Sequence, residues 1–246
     1  MRTSKSLLLF SIIVLACCQT VSDAFSNSNN SDPKPTIGTE PAASSLSAKW
    51  KKEDIDTAAS SDYLTEVEKQ VVVEVNKVRT DPAQFAIKYL QPIRRYYRAR
   101  MLQYPNEKAT QTTEGIRVLD ECIKVLMSSK VLKALSPKKG LTLAARDQAK
   151  DQAKTGATGH IGSDHSTVTD RMNRYGTWDL SAGENINYGN NQARRIVISF
   201  LVDDGVPSRE HRKNLLDGSF SFIGVAVGPH RTYGSMCVLV FAGGYK

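Results

Sequence analysis

Cysteine is scarce in this chain of 246 residues, which contains four. Their spacing gives no indication of a zinc cluster. The sequence also lacks a His-Glu-x-x-His helix, a phosphate-binding loop, a dinucleotide fingerprint and a serine nucleophile elbow. No motif therefore indicates one of the easily recognised enzyme classes, and a function has to be argued from residues that lie far apart in the sequence.

The N-terminus carries an apolar run, residues 7–18, that is too short to span a bilayer. Arg2 and Lys5 precede this run, and small residues follow it up to Ala24. This arrangement is typical of a secretory signal peptide. We therefore predict a signal peptide over residues 1–24 and export of the mature protein.

Two of the four cysteines, Cys17 and Cys18, lie within the predicted signal peptide. Acylation of Cys17, as in a bacterial lipoprotein, is an alternative that Leu15 disfavours. Cys122 and Cys237 remain after cleavage. In an oxidising compartment they either form one disulfide, which would contribute about 4 to 5 kcal/mol on the loop-entropy model, or are two separately buried thiols.

The segment after the signal peptide, residues 25–62, is rich in Ser, Asn, Thr, Ala and Pro and shows no periodicity. Such a segment cannot bury enough apolar surface to fold, so we predict a disordered leader there. Residues 63–246 are sufficient for one domain with its own core, and they contain no second membrane segment.

The chain is basic, with a formal net charge of +8. Part of the excess lies in a stretch of arginines and tyrosines: Arg94, Arg95, Tyr96, Tyr97, Arg98, Arg100 and Tyr104. This pattern is typical of surfaces that contact nucleic acid or anionic lipid. The alternative is a solvated helix face whose tyrosines pack inward. Export argues against nucleic acid, and no nucleic-acid partner is expected.

Helical patterns dominate the first part of the domain. The longer predicted helices cover residues 64–78, 116–127, 141–155 and 193–201. Two β-branched apolar runs, 222–227 and 236–241, predict a C-terminal hairpin with a loop over 228–234. This order predicts an α+β fold in which helices cover both faces of a small antiparallel sheet.

Glu184 lies among glycines and asparagines, in a stretch that predicts a loop at the edge of a strand. His160 and His211 flank it in the sequence, and Asp203 and Asp204 offer a second acid. Two histidines and two carboxylates suffice to bind a divalent metal. The same groups could also form a polar cluster or act as acid and base. Spacing alone does not choose among these interpretations.

The two other histidines receive a different prediction. His165 lies in a short polar loop, and His230 lies in the predicted loop of the C-terminal hairpin. Both are predicted to be exposed and to have no role in a site.

Four motifs occur in order along the chain: VNKVRTDP at 75–82, GHIGSD at 159–164, AGENI at 182–186 and EHRKNLL at 210–216. Together they resemble the CAP superfamily of cysteine-rich secretory proteins, antigen 5 and pathogenesis-related proteins, in its cysteine-poor bacterial and protist form. The resemblance covers residues 63–246. It implies a three-layer α-β-α sandwich with a small antiparallel sheet.

The resemblance also implies a central cleft lined by two histidines and two acids, which correspond here to His160, Glu184, Asp203 and His211. The second acid is usually glutamate in the family, so Asp203 and its neighbour Asp204 are both candidates for that position. On this basis we expect a divalent metal such as zinc as a cofactor, with the four side chains of the cleft as ligands.

For function, the resemblance implies a secreted, non-enzymatic protein that binds a sterol, a fatty acid or another lipid and has a role at the cell surface, with cell-surface components as partners. The alternative is a metal-dependent hydrolase, a peptidase or an esterase, in which Glu184 is the base. The many disulfides of the animal and plant members are missing here, so their toxin and sperm-related roles are not transferred.

Overall fold

The computed structural model describes residues 50–246; the predicted signal peptide, 1–24, and the leader as far as residue 49 lie outside the described residues. The α-helices are α1 (Lys52–Ile55), α2 (Glu66–Thr80), α3 (Pro82–Phe85), α4 (Ile116–Ser128), α5 (Lys139–Thr155), α6 (Val168–Asn173), α7 (Ala193–Val202) and α8 (Glu210–Leu215). The strands are β1 (Tyr97–Arg98), β2 (Met101–Leu102), β3 (Thr110–Gln111), β4 (Ser136–Pro137), β5 (Trp178–Tyr188), β6 (Phe222–His230) and β7 (Gly234–Tyr245). A π-helical turn, Ala86–Leu90, and a 3₁₀-helix, Gln91–Tyr96, follow α3.

The main sheet has the strand order β4-β6-β7-β5. The hairpin of β6 and β7 is antiparallel, β5 pairs antiparallel with β7, and the two-residue β4 runs parallel to β6. Strand β5 is therefore an edge strand of this sheet, and helices α6, α7 and α8 lie against it.

Helices cover both faces of the sheet. Side chains alternate along a strand, so Val238 and Val240 of β7 join the core under α5, while Leu239 and Phe241 join the larger core with α2, α4 and α7. At Gly224 of β6 the backbone of α5 lies so close that a Cβ atom would collide with it. This layering confirms the predicted α+β class and the α-β-α sandwich.

Local sequence signals mark the start and end of α2 and the end of α5. Thr65 and Glu68 form a capping box at the start of α2, which ends before Asp81 and Pro82. Helix α5 ends at Gly156, which adopts the left-handed conformation at the C-cap. These signals act within a few residues, and so the sequence alone could predict them.

Residues 50–62 differ from the predicted leader. Ile55 and Ala58 are buried, and Trp50 donates a hydrogen bond through Nε1 to the carbonyl oxygen of Lys77 at 3.2 Å. Asn76 of α2 donates to the carbonyl oxygen of Ile55 at 3.0 Å. A few anchors of this kind suffice to hold a polar segment on a preformed core, and they leave no periodic pattern. The prediction that the leader extends to residue 62 is therefore wrong for residues 50–62.

The arginine- and tyrosine-rich stretch does not form one helix face. It begins in the 3₁₀-helix and continues into the antiparallel strands β1, β2 and β3, which we call the β1–β3 meander. Tyr97 is buried, whereas Tyr96 and Tyr104 are half-buried and pack against each other. The tyrosines thus pack partly inward, as the second alternative predicts, but they lie on a 3₁₀-helix and short strands and not on one helix face.

Cys122 of α4 and Cys237 of β7 are both free and buried. Burial raises the pKa of the Cys122 thiol to about 12 and also raises that of Cys237. The alternative of two separately buried thiols is therefore the one that the structure shows. No helix within residues 50–246 has the length and apolarity needed to cross a membrane.

Candidate functional site

Glu184 lies in the middle of a strand and not in a loop. In β5 it pairs with Val240 of β7, and the strand continues to Tyr188 before Gly189 turns the chain with a φ of 86°. Glycine and asparagine are disfavoured in strands, which is why the stretch predicts a loop. The long ladder with the apolar β7 outweighs that local preference. The predicted loop is corrected accordingly.

The buried carboxylate of Glu184 lies between an imidazole and a guanidinium group. Its Oε1 lies 2.8 Å from His160 Nδ1, and its Oε2 accepts a hydrogen bond from Arg171 Nη2 at 2.6 Å. The Arg171 side chain is buried, while that of His160 is 53% exposed. Arg171 belongs to α6 and was missed in the sequence, where nothing distinguishes it from a surface arginine.

The backbone beside His160 is fixed by polar side chains. Gln148 and Gln152 donate to the carbonyl oxygen of Gly159 at 2.9 and 2.6 Å. The Gly159 amide donates to Tyr188 Oη at 3.0 Å, and that hydroxyl donates to Gln152 at 2.8 Å. Burial raises the pKa of Tyr188, so its hydroxyl remains a donor. His160 is thus presented by an anchored loop.

Asp203 and His211 form a second pair. Asp203 Oδ1 lies 2.6 Å from His211 Nδ1, and Oδ2 accepts from the backbone amides of His211 and Arg212 at 3.0 and 3.4 Å. Asp203 adopts a φ of 56° at the end of α7, which turns its side chain onto the start of α8. The residue at the N-cap of α8 is Arg209.

Asp204 has a different role from its neighbour. Its two oxygens accept hydrogen bonds from the amides of Thr113 and Glu114, each at 2.7 Å. It therefore holds the turn before α4. Of the two candidate acids, Asp203 is the one that contacts His211.

The two pairs are connected through the residue after Glu184. Asn185 Nδ2 donates to the carbonyl oxygen of His211 at 2.9 Å, and Asn214 Nδ2 donates to Asn185 Oδ1 at 2.8 Å. Strand β5 is thereby tied to α8. The predicted metal ligands are nevertheless arranged as two His–acid pairs, and within residues 50–246 no three His, Cys, Asp or Glu side chains form a group that could hold a metal ion.

A network of side-chain ion pairs adjoins the pair formed by Asp203 and His211. Arg209 donates to both oxygens of Glu114 at 2.7 Å and to Glu121 at 2.9 Å. Hydrogen bonds from Arg209 lower the pKa of Glu114 to about 2 and are the main cause of the lowered pKa of Glu121. Arg209 also donates to the carbonyl oxygen of Asp203 at 3.1 Å, so the network supports the turn that presents this acid.

A cavity of about 550 Å³ adjoins the second pair. Apolar and aromatic side chains from the meander, α7 and β5 form about half of its wall, among them Tyr97, Leu102, Tyr104, Ile186, Ile198 and Phe200. Asn187, Ser199, Asp203 and His211 add polar groups. The arrangement can enclose the apolar part of a small molecule and hydrogen-bond to its polar part.

The remaining histidines differ from each other. His165 is exposed, as predicted. The prediction for His230 is wrong: it is 3% exposed, because β6 continues to this residue and the loop is shorter than expected. Its Nε2 lies 2.9 Å from the carbonyl oxygen of Ala157, and its ring packs on Tyr188, which anchors the His160 loop.

The family model described as CAP, cysteine-rich secretory protein family, matches residues 73–241. No curated protein matches the chain significantly.

Two solved structures are similar to the chain. An extracellular protein containing an SCP domain from Bacillus anthracis str. Ames is 25% identical with a TM-score of 0.36, and the match covers 45% of this chain and 34% of that one. An outer surface protein from Borrelia burgdorferi is 18% identical with a TM-score of 0.39, and the match covers 51% of this chain and 86% of that one. The match thus spans about a third of the Bacillus protein.

Proposed function

The chain belongs to the cysteine-rich secretory protein family, and from this and the cavity we propose that it is an exported, non-enzymatic protein that binds a fatty acid or a sterol. The predicted signal peptide over residues 1–24 supports export. The proposed partners are cell-surface components, from which the protein collects the bound lipid or to which it delivers it.

The cavity beside His211 is the observation that carries this proposal. Its volume of about 550 Å³ falls in the range of small-molecule sites. Aromatic and aliphatic side chains provide the apolar half of its wall, while His211 and Asn187 can hydrogen-bond to a carboxylate or a hydroxyl group. A fatty acid and a sterol share this division into one polar group and a large apolar part.

Titration with a fluorescent fatty acid and a fluorescent sterol tests the proposal on the chain from Phe25. We expect saturable binding of at least one probe. Leu102→Trp, which fills the cavity, should weaken binding at least tenfold. The matched control is Met127→Trp, since Met127 is 46% exposed and does not line the cavity. Non-saturable binding, or an equal effect of the two variants, would contradict the proposal.

A second candidate function is binding of a divalent metal. In each pair Nδ1 of the imidazole faces a carboxylate, an arrangement that orients histidine for binding a metal through Nε2. Within the described residues the Nε2 atoms of His160 and His211 make no hydrogen bond, whereas Glu184 and Asp203 use both oxygens. In this proposal the histidines bind the metal and the acids orient them, and imidazole nitrogen suits zinc, copper or nickel.

Calorimetric titration with zinc chloride tests the second candidate. We expect one site in the wild type and its loss in His160→Ala/His211→Ala. His165→Ala removes an exposed histidine and should leave the affinity unchanged. Unchanged affinity in the double variant, or an equal loss in His165→Ala, would reject a site at these histidines.

The hydrolase alternative has less support from the geometry. A general base needs a free oxygen that reaches the substrate proton, and Glu184 already has His160 and the buried Arg171 on its two oxygens. We therefore propose binding and not hydrolysis as the function. We expect peptidase and esterase screens to give equal rates for wild type and Glu184→Gln.

A further inference from the structure

The β1–β3 meander has two sides with different character. Tyr97 pairs with Leu102 and Arg98 pairs with Met101. Successive side chains point to opposite sides of a strand, so the two pairs face opposite ways. Tyr97 and Leu102 line the cavity, whereas Arg98 and Met101 are exposed. The strands that form the cavity wall thus present a second surface to solvent.

This outer surface is basic and is not neutralised by the protein. Arg95, Arg98 and Arg100 are all exposed. Arg95 donates to Tyr96 Oη at 2.9 Å, and Arg98 donates to backbone carbonyls, one of them that of Tyr97 at 2.8 Å. Within residues 50–246 none of the three arginines forms an ion pair with a carboxylate. Their charge is therefore available to an anionic partner.

Polar and apolar groups accompany the arginines. The guanidinium of Arg95 lies 4.9 Å from the centre of the Tyr96 ring. A shallow depression beside this ring is also lined by the amide side chains of Gln103 and Asn106, which can donate hydrogen bonds together with the arginines. Met101, which pairs with Arg98 and follows Arg100 in the chain, is 38% exposed. Phosphate groups match these donors, and a lipid surface also matches the exposed Met101.

We propose that Arg95, Tyr96, Arg98, Arg100 and Met101, which we call the meander surface, bind the surface of an anionic phospholipid bilayer. The arginines contact lipid phosphates, and Met101 enters the boundary between headgroups and acyl chains. Nucleic acid would satisfy the arginines but would leave Met101 without an apolar partner.

Docking in this way brings the cavity to the bilayer. Tyr104 lines both the cavity and the depression on the meander surface, so the two adjoin at this residue. Membrane attachment would place the proposed lipid site next to its source. The attachment itself does not depend on what the cavity binds, and vesicle binding can be measured without any cavity ligand.

The test is cosedimentation of the chain from Phe25 with vesicles of phosphatidylcholine alone or with 30% phosphatidylserine. We expect binding to the anionic vesicles only. Arg95→Gln/Arg98→Gln/Arg100→Gln should weaken it roughly 100-fold, since each basic residue near such a surface contributes about fivefold. Met101→Ser should weaken it several-fold. Lys150→Gln/Lys154→Gln/Arg231→Gln removes the same charge from exposed residues elsewhere and should have little effect.

Three results would overturn the proposal. Equal weakening by the two triple variants would assign binding to net charge. Unchanged binding by the arginine triple variant would place the contact elsewhere. Binding to heparin or to DNA without binding to anionic vesicles would identify a polyanion partner. Arg100→Gln alone provides a second variant if the triple variant fails to fold, because this side chain makes no hydrogen bond within the described residues.

Discussion

Arg171 Nη2 lies 2.6 Å from Glu184 Oε2, and the two side chains are only 1% and 2% exposed. The pair connects α6 to the edge strand β5, beneath the half-exposed His160. An ion buried without its partner costs several kcal/mol, so each of the two charges depends on the other. The candidate site therefore also holds α6 against β5.

Arg171→Met should lower the free energy of unfolding by about 3 to 5 kcal/mol, because it removes the buried guanidinium from the buried Glu184 carboxylate and leaves it only the half-exposed His160. Arg171→Met/Glu184→Gln should recover part of that loss. Urea unfolding measures both values. Arg174→Met, at an arginine 40% exposed just after the same helix, should cost less than about 1 kcal/mol. Similar losses of unfolding free energy in Arg171→Met and Arg174→Met would contradict a larger contribution from the buried pair.

Gly224→Ala should destabilise the protein by about 3 kcal/mol or more, since the new methyl group meets the backbone of Leu141 and Thr142 in α5. Gly228 lies in the same strand with no atom near its Cβ position, so Gly228→Ala is the matched control and should change stability little. Thermal unfolding of the two variants compares them. Equal stability would mean that α5 can shift away from the sheet without cost.

Acid should weaken the turn that presents Asp203. The pKa of Glu114 is lowered from 4.5 to about 2 by Arg209, so the stability that this pair contributes is complete above pH 4.5 and is lost as pH falls towards 2. Glu121 loses its contribution in the same direction. Glu114→Gln should be less stable than wild type at pH 7 and should show a smaller further loss on acidification. Melting temperatures between pH 7 and pH 2 provide the comparison, and parallel profiles for the two proteins would count against the pairing.

Reducing agent should leave stability unchanged, because Cys122 and Cys237 are separate thiols. In the chain from Phe25, alkylation should be slow in the native state and should modify two thiols after denaturation. A disulfide across this loop would contribute about 4 to 5 kcal/mol, so a lower unfolding midpoint in dithiothreitol would reveal one. Mass spectrometry without reduction is the independent check.

Two of the four sequence motifs that led to the correct fold and family lie where backbone demands are strict. Asp81 and Pro82 end α2, and Gly159 has a positive φ shortly after the end of α5. The errors concern residues whose state depends on distant partners. Residues 50–62 lack periodicity yet are held by contacts to α2, and His230 is buried only because β6 is longer than its apolar run.

The sequence by itself determined the longer helices and the C-terminal hairpin, because caps and periodicity act through nearby residues, and its resemblance to the family named the four side chains that are predicted to form the site. Only the tertiary structure decided that Glu184 lies on a strand, that Asp203 and not Asp204 contacts His211, and that Arg171 neutralises the buried carboxylate. It also decided that one meander forms both the cavity wall and a basic outer surface. These relationships join segments distant in the chain, and burial with charge pairing selects them only after the sheet and helices have packed.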